Sequence, residues 1–225
     1  MSSNKQPLPA AYRTVIGTGS AEIVEKKSRF IAHIAPADSE EAAQEYIAKI
    51  RKEYWDARHN CHAFCVGLSP EMSRCSDDGE PAQTAGKPML DVLMGAGLKN
   101  TVAVVTRYFG GTLLGTGGLV RAYSSAVREG IAASRIIEKK LCTRIQTRID
   151  YALLGKMQNL LAGSQIMTVD TVYEQDVILD LLVPQADLPW LRKQTSEISG
   201  GSIVLTETEI CYGAASGNEV LLFPV

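Results

Sequence analysis

The stretch that decides the fold of this 225-residue chain is TRYFGGTLLGTGGLVRAY, residues 106–123. It begins within the apolar, β-branched run 101–109, which predicts a strand buried on both faces. It continues through the glycine-rich stretch 110–118 into the helical spacing of residues 119–133. In this order, a strand, a turn and a helix let backbone N–H groups and a helix N-terminus face an anion.

This segment supplies most of the candidate anion-binding residues. Glycine permits φ > 0 and close backbone approach, and arginine can hold an anion through two N–H groups. The predicted anion- or nucleic-acid-binding set is Lys87, Arg107, Gly110, Gly111, Gly115, Gly117, Gly118 and Arg121. A P-loop is excluded because Thr116 follows Gly115 where lysine is needed, and a dinucleotide fingerprint because Val120 takes the third glycine position. A tight turn that needs glycine only for packing stays an alternative.

A second segment, CSDDGEPAQTAGKP at 75–88, carries the candidate acidic residues Asp77, Asp78 and Glu80. Neighbouring carboxylates can hold a divalent cation or act as general acid and base. Ser, Asp and Gly in this order also make turns by bonding their own backbone. Lys87 can pair with these carboxylates or contact a phosphate. The sequence predicts no catalytic residue here and leaves the cation or acid–base role open.

The third segment is RHNCHAFC at 58–65. One face of one strand cannot enclose a tetrahedral zinc ion, and neither CxxC nor HxxxH spacing is present. A catalytic pair of Cys61 or Cys65 with His59 stays open, beside a half-buried strand with small thiols in the core. We predict no metal and no cofactor.

The rest of the sequence predicts an α+β protein of two domains, 1–138 and 139–225. In the first, strands and helices mix, with a helix capped by Asp38 or Ser39 and a short helix beginning at Pro88. The stretch 69–87, rich in Asp, Gly and Pro, is predicted to be irregular. The second begins at the basic pair Lys139–Lys140 and has the order βαββαβ of a ferredoxin-like domain. Its predicted elements are strand 141–150, helix 153–162, two strands linked near 174–176, helix 185–199 and strand 202–208.

Composition narrows the classes of partner. The 23 basic and 25 acidic residues give a net charge of −2, so the chain lacks the overall positive charge that is typical of general nucleic-acid binders. The charge is +1 over residues 1–138 (16 basic, 15 acidic) and −3 over 139–225 (7 basic, 10 acidic), so a polyanion is expected on the first domain. Aromatic residues make up only 6%, which argues against a stacking-rich single-strand binder.

The location is predicted to be cytoplasmic. The five cysteines match no disulfide framework. Residues 1–11 lack the apolar core of a signal peptide, and no apolar run approaches the length that spans a bilayer. We expect no membrane partner and no sequence-specific DNA binding.

Five stretches resemble the IMPACT family: KSRF at 27–30, RHNC at 58–61, SDDGEP at 76–81, TAGKP at 84–88 and the whole of 106–123. In its two-domain length the chain is similar to the bacterial, YigZ-type members. The resemblance implies a first domain related to a ribosomal small-subunit protein domain and to domain IV of elongation factor G, an α/β sandwich. It implies a second domain like domain V of that factor. Eukaryotic relatives regulate translation through an added domain that this chain lacks.

Three functions follow as hypotheses. The first is a non-catalytic, translation-associated protein that binds RNA or the ribosome through the Gly/Arg-rich loops of the first domain. The second is an enzyme acting on a small phosphorylated or carboxylated ligand between Asp77, Asp78, Glu80 and the loop 110–118. The third is a regulator that binds a protein partner in translation through an exposed apolar patch. We favour the first.

Overall fold

The computed structural model describes residues 7–68, 71–217 and 219–225. The chain divides into two units, Met1–Ile137 and Glu138–Val225. Part of the stretch 1–11, on which the signal-peptide expectation rests, lies outside the described residues, as do Ser69 and Pro70 of the stretch 69–87, which was expected to be irregular.

The first unit is built on a five-stranded antiparallel sheet. Its strand order is β2-β3-β6-β4-β5, and β1 joins the unit through a bridge between Arg13 and Leu98. Its elements are β1 (Ala11–Ile16), β2 (Gly19–Glu25), β3 (Ser28–Pro36), α1 (Glu40–Glu53), β4 (His59–Val66), β5 (Met72–Ser76), α2 (Gly86–Gly95), β6 (Thr101–Tyr108) and α3 (Thr116–Ala132).

Helices cover both faces of this sheet. Along β6 the side chains alternate, so that Ala103 and Val105 join the core formed with α2 and α3. Val102 and Val104 join the core formed with α1 on the opposite face. The prediction that this strand is buried on both faces is therefore confirmed.

One of the three predicted helix starts in this unit matches the structure, and the other two are shifted. Ser39 caps α1, and its Oγ accepts from the Ala42 backbone N–H at 3.1 Å. Helix α2 begins at Gly86 rather than at the predicted Pro88, which is its third residue and still needs no N–H bond there. Helix α3 begins at Thr116, three residues before the prediction, and so includes Gly117 and Gly118.

The second unit is a sheet with the strand order β11-β10-β7-β9-β8, antiparallel throughout. The predicted order βαββαβ is present, and the short strand β11 adds to it. Its elements are β7 (Arg135–Ile149), α4 (Tyr151–Ala162), β8 (Met167–Tyr173), β9 (Val177–Pro184), a 3₁₀ turn (Gln185–Asp187), α5 (Leu188–Ser199), β10 (Leu205–Ser216) and β11 (Glu219–Phe223).

Strand β9 contributes every second side chain to one core cluster of the second unit. Val177, Leu179, Leu181 and Val183 of β9 are all buried in one cluster, as their alternation predicts. Strand β7 begins at Arg135 and runs unbroken through the predicted junction at 138/139, so the basic pair expected to mark a boundary lies within a strand. In the parts of the chain that the structure describes, no helix has both the length and the apolar character needed to cross a bilayer.

Candidate functional site

The sequence motifs of the first unit meet at one end of its sheet. The strand registers place Arg29 opposite Tyr108, His59 opposite Arg107 and His62 opposite Ser76. The connections that follow or precede these residues therefore lie together. We call this region the loop end; it comprises residues 25–28, 54–59, 77–85 and 109–115.

Asp77 is occupied in capping helix α2. Its carboxylate accepts from the backbone N–H groups of Gln83, Ala85 and Gly86 at 2.8, 2.9 and 2.9 Å. Burial alone would raise the pKa of Asp77, but these hydrogen bonds outweigh it and lower the pKa below its ordinary value. The carboxylate serves the first turn of the helix, where backbone donors lack partners.

Asp78 ties the acidic turn to α1 and β4. One carboxylate oxygen lies 2.6 Å from an Arg51 nitrogen, and the other accepts from the Asn60 backbone N–H at 2.7 Å. The Asp78 carbonyl accepts from His59 Nδ1 at 2.8 Å. Asp78 also has φ = 43°, a conformation that aspartate tolerates better than most residues. These contacts assign Asp78 to the scaffold of the turn.

Glu80 is the centre of a buried polar network. Its Oε1 lies 2.6 Å from an Arg107 nitrogen, and the Tyr123 hydroxyl donates to it at 2.7 Å. Cys61 lies beside them, with its thiol 3.4 Å from the Tyr123 hydroxyl and 3.0 Å from the Asp77 carbonyl oxygen. This network brings the acidic segment into contact with the strand that leads to the glycine-rich loop.

Burial makes Cys61 and Tyr123, the neighbours of Glu80, weaker acids. It raises the pKa of Cys61 to about 12, an effect that the nearby Glu80 and Asp78 charges reinforce. Burial likewise raises the pKa of Tyr123. A thiol with this pKa is not a thiolate at neutral pH and is a weak nucleophile. The arrangement does not support the Cys–His catalytic pair that the sequence left open for Cys61.

The three predicted acidic residues thus hold groups of the protein itself. Within the described ranges, no three His, Cys, Asp or Glu side chains are grouped so that they could hold a metal ion. The candidate cation or acid–base role of Asp77, Asp78 and Glu80 therefore gains no support from the geometry. Lys87, placed beside them by sequence, pairs instead with Asp91 one turn along α2.

The predicted anion-binding set is divided by the structure. Arg107 is buried and bound to Glu80, so its guanidinium is not presented to solvent. Gly110 lies against the β2–β3 turn: a Cβ there would stand 2.0 Å from the Lys27 carbonyl carbon. Gly111 and Gly115 have φ of 84° and 72°, so both need glycine for their backbone conformation.

Two of the predicted glycines lie outside the loop. Gly117 and Gly118 belong to the first turn of α3, and a Cβ at Gly117 would meet only an Arg121 side-chain nitrogen at 3.6 Å. Arg121, one turn further along the helix, is exposed. It is the predicted residue that keeps the properties of an anion ligand.

Sequence reasoning missed three basic residues that complete this surface. Lys26, Lys27 and Arg58 are exposed at the loop end. Together with Arg121 they have no carboxylate within ion-pair distance among the residues that the structure describes. Lys26, Arg121 and Arg128 also line a groove of about 330 Å³ together with Glu25. A signal was available, because Lys27 and Arg58 each begin one of the motif segments.

Two aromatic side chains were also missed. Trp55 is 82% exposed and Phe109 is 56% exposed, and both lie at the loop end. They are the aromatic side chains of the first unit that are mostly open to solvent, as far as its described residues go. An exposed aromatic ring beside basic side chains can stack with a nucleic-acid base while the charges contact the phosphates.

Fold and site define a two-domain α+β protein whose first domain gathers its motifs at one end of an antiparallel sheet. Residues 26–131 match the family described as "Impact N-terminal domain", and residues 147–202 match "Domain of unknown function (DUF1949)". The chain belongs to the IMPACT family, as a two-domain member of the bacterial type.

Relatives match over almost their whole length. The "IMPACT family member YvyE" of Bacillus subtilis is 41% identical over 210 residues, covering 93% of this chain and 97% of the relative. The "IMPACT family member YigZ" of Escherichia coli is 39% identical over 204 residues, covering 90% and 97%. A solved structure titled "Crystal structure of an hypothetical protein" is 36% identical with a TM-score of 0.58, covering 90% of this chain and 99% of that one.

Proposed function

We propose that this protein is a non-catalytic, translation-associated RNA-binding protein, which holds RNA such as that of the ribosome at the loop end of its first domain. One observation carries the proposal. The acidic residues Asp77, Asp78 and Glu80 are bound to groups of the protein. Among the described residues, Lys26, Lys27, Arg58 and Arg121 have no carboxylate within ion-pair distance and outnumber the exposed Glu25 beside them.

The charge balance of the surface follows from this pairing. Asp77 is held by three backbone N–H groups. Asp78 is paired with Arg51, and Glu80 with Arg107. Lys26, Lys27, Arg58 and Arg121 are left with their full charge toward solvent. Phosphate oxygens are the partners that such a set of side chains binds in nucleic acids.

The family supports an RNA partner over other polyanions. The resemblance of IMPACT proteins to domains IV and V of elongation factor G, and the ferredoxin-like order of the second unit, give both units the character of translation-factor modules. A cytoplasmic location is part of the same proposal, because all five cysteines are free, as a reducing compartment keeps them.

The enzyme alternative is less well supported. Catalytic carboxylates act on substrate, a nucleophile or a bound ion, but those of Asp77, Asp78 and Glu80 contact the protein's own backbone, arginines and tyrosine. Glu80 does contact Arg107, so the acidic and glycine-rich segments are in contact. That contact is an internal ion pair whose side chains are 3% and 8% exposed, so it leaves little room for a ligand between them.

The test is the salt dependence of RNA binding. Fluorescence anisotropy with a labelled ribosomal RNA fragment gives log K against log salt for the wild type and for Arg58→Gln plus Arg121→Gln. Losing two phosphate contacts flattens the slope by about 1.4–1.8. The matched control is Lys49→Gln plus Lys156→Gln, which removes two exposed charges that are not among the residues of the loop end.

We expect the control pair to keep the wild-type slope. An unchanged slope in the Arg58/Arg121 variant, or the same loss in both variants, would refute the assignment of this surface. If the wild type binds no RNA but does bind a fluorescently labelled translation protein in the anisotropy assay, the partner-protein hypothesis is favoured.

A further inference from the structure

We propose that the loop end binds single-stranded RNA, with an unpaired base stacked on the outer face of the Phe109 ring. The inference rests on the proposed function and adds the kind of RNA and the residue that recognises it. The low aromatic content of the chain argued against stacking, but what matters is where the few exposed rings lie.

The Phe109 ring has a fixed support behind it. The Arg107 guanidinium carbon lies 5.7 Å from the centroid of that ring and 5.3 Å from the centroid of Phe30. Arg107 is itself held at 2.6 Å by the buried Glu80 carboxylate. The layers Phe30, Arg107 and Phe109 therefore form a stack that begins in the core and ends in solvent.

The residues on each side of Phe109 are held in place as well. The Tyr108 hydroxyl donates to Asp56 at 2.7 Å, and Arg29 lies 5.5 Å from the Tyr108 ring centroid. Gly110 donates its N–H to Ser28 Oγ at 3.1 Å. Because both neighbours are held, the ring is pre-organised and loses little conformational freedom when a ligand covers it.

This arrangement leaves one face of the ring open beside positive charge. Phe109 is 56% exposed, and the exposed Lys27 lies next to it because Gly110 packs on the Lys27 backbone. A base on the ring with its phosphate near this lysine matches how single-strand binders combine stacking with charge. Duplex bases have their faces covered by their neighbours, so only unpaired bases can use the platform.

The experiment compares ligands and side chains. The probes are a fluorescein-labelled, 12-nucleotide RNA without self-complementarity, the same strand annealed to its complement, and inorganic polyphosphate as an anion without bases. The variants are Phe109→Leu, which keeps an apolar side chain, and Phe109→Trp, which keeps a stacking ring. The matched control is Tyr173→Leu, an exposed aromatic residue of the second unit.

We expect the wild type to bind the single strand more tightly than the duplex. Loss of one stacked base should weaken single-strand binding by about 5- to 150-fold in Phe109→Leu, with an unchanged salt slope and an unchanged melting temperature. Tyr173→Leu should bind as the wild type does, whereas Phe109→Trp should bind more tightly than Phe109→Leu because it keeps a ring for stacking. With Trp55→Phe and Trp190→Phe in the background, the tryptophan introduced at position 109 should be quenched by RNA and not by polyphosphate.

The outcomes separate this inference from the proposed function. Salt-dependent binding that is equal for single strand and duplex, or that is unchanged in Phe109→Leu, would overturn the stacking site and leave the RNA-binding surface standing. Quenching by polyphosphate alone would show that the anion rather than a base reaches the ring, and would also overturn it. If the wild type binds none of the three probes, the proposed function fails and the stacking site fails with it.

Discussion

Replacing Arg107 with methionine tests whether this arginine is a buried structural residue or an exposed ligand for anions. Its side chain is 8% exposed and the Glu80 side chain is 3% exposed, with 2.6 Å between nitrogen and oxygen. Arg107→Met keeps much of the volume but removes the cation. Glu80 then keeps only the Tyr123 hydroxyl as a described side-chain donor within hydrogen-bond distance.

The expected loss is large because a buried carboxylate is left without its counter-charge. Removing one partner of a buried pair costs about 3–5 kcal/mol. The Nε–H of Arg107 is buried without a described hydrogen-bond partner, and its removal offsets part of that cost. We therefore expect about 3 kcal/mol. For a unit of 137 residues the unfolding entropy is on the order of 0.3 kcal/mol/K, so the melting temperature should fall by about 10 °C.

The assay uses the distribution of tryptophans, one in each unit. With Trp190→Phe in the background, Trp55 fluorescence follows urea unfolding of the first unit alone. The cycle of Arg107→Met, Glu80→Gln and the double variant should show that the double variant loses less stability than the two single losses together, by about 1–3 kcal/mol. An Arg107→Met loss below about 1 kcal/mol, or strict additivity, would mean that Arg107 is solvated, and it would return to the anion-binding set.

Three further variants test the loop at Gly110, the first turn of α3 and the cap of α2. Gly110→Ala should destabilise the first unit by about 1–3 kcal/mol, because its Cβ would overlap the Lys27 backbone. Gly117→Ala in α3 should instead stabilise the unit by about 0.4–1 kcal/mol. Urea unfolding in which both variants change the stability in the same direction would contradict this. Asp77→Asn should cost about 1 kcal/mol at neutral pH through the weakened α2 cap. Because folding lowers the Asp77 pKa, the stability that the wild type has over Asp77→Asn is complete above the ordinary pKa of 3.8 and is lost as the pH falls through the lowered pKa. A difference in stability between the two proteins that stays constant from pH 7 to pH 2 would refute this prediction.

Much of the fold could be predicted from the sequence because its signals are local. The β-branched run of β6 and the alternation of β9 each encode burial directly. The start of α3 could not be predicted from Gly117 and Gly118, which are poor helix formers. Packing of the following turns against the sheet extends the helix back to Thr116, since tertiary contacts supply most helical stability.

There is also a physical reason why the sequence did not predict strand β5. Strand β5 lies at the edge of its sheet and most of its side chains are exposed, so its sequence shows no apolar alternation. Its place is fixed by pairing with β4, from His62 opposite Ser76 to Val66 opposite Met72. An edge strand of this kind is visible only once its neighbour is known.

The candidate site was harder to predict than the fold, because its character depends on pairing rather than on residue types. The segment 75–88 has the composition of an acidic site, yet the partners of Asp78 and Glu80 lie 27 positions away, at Arg51 and Arg107. Once those pairs form, the carboxylates no longer offset the remaining cations of the loop end. A domain whose charges sum to nearly zero can therefore present a positive surface, and the near-neutral composition that argued against RNA binding describes the chain rather than its surface.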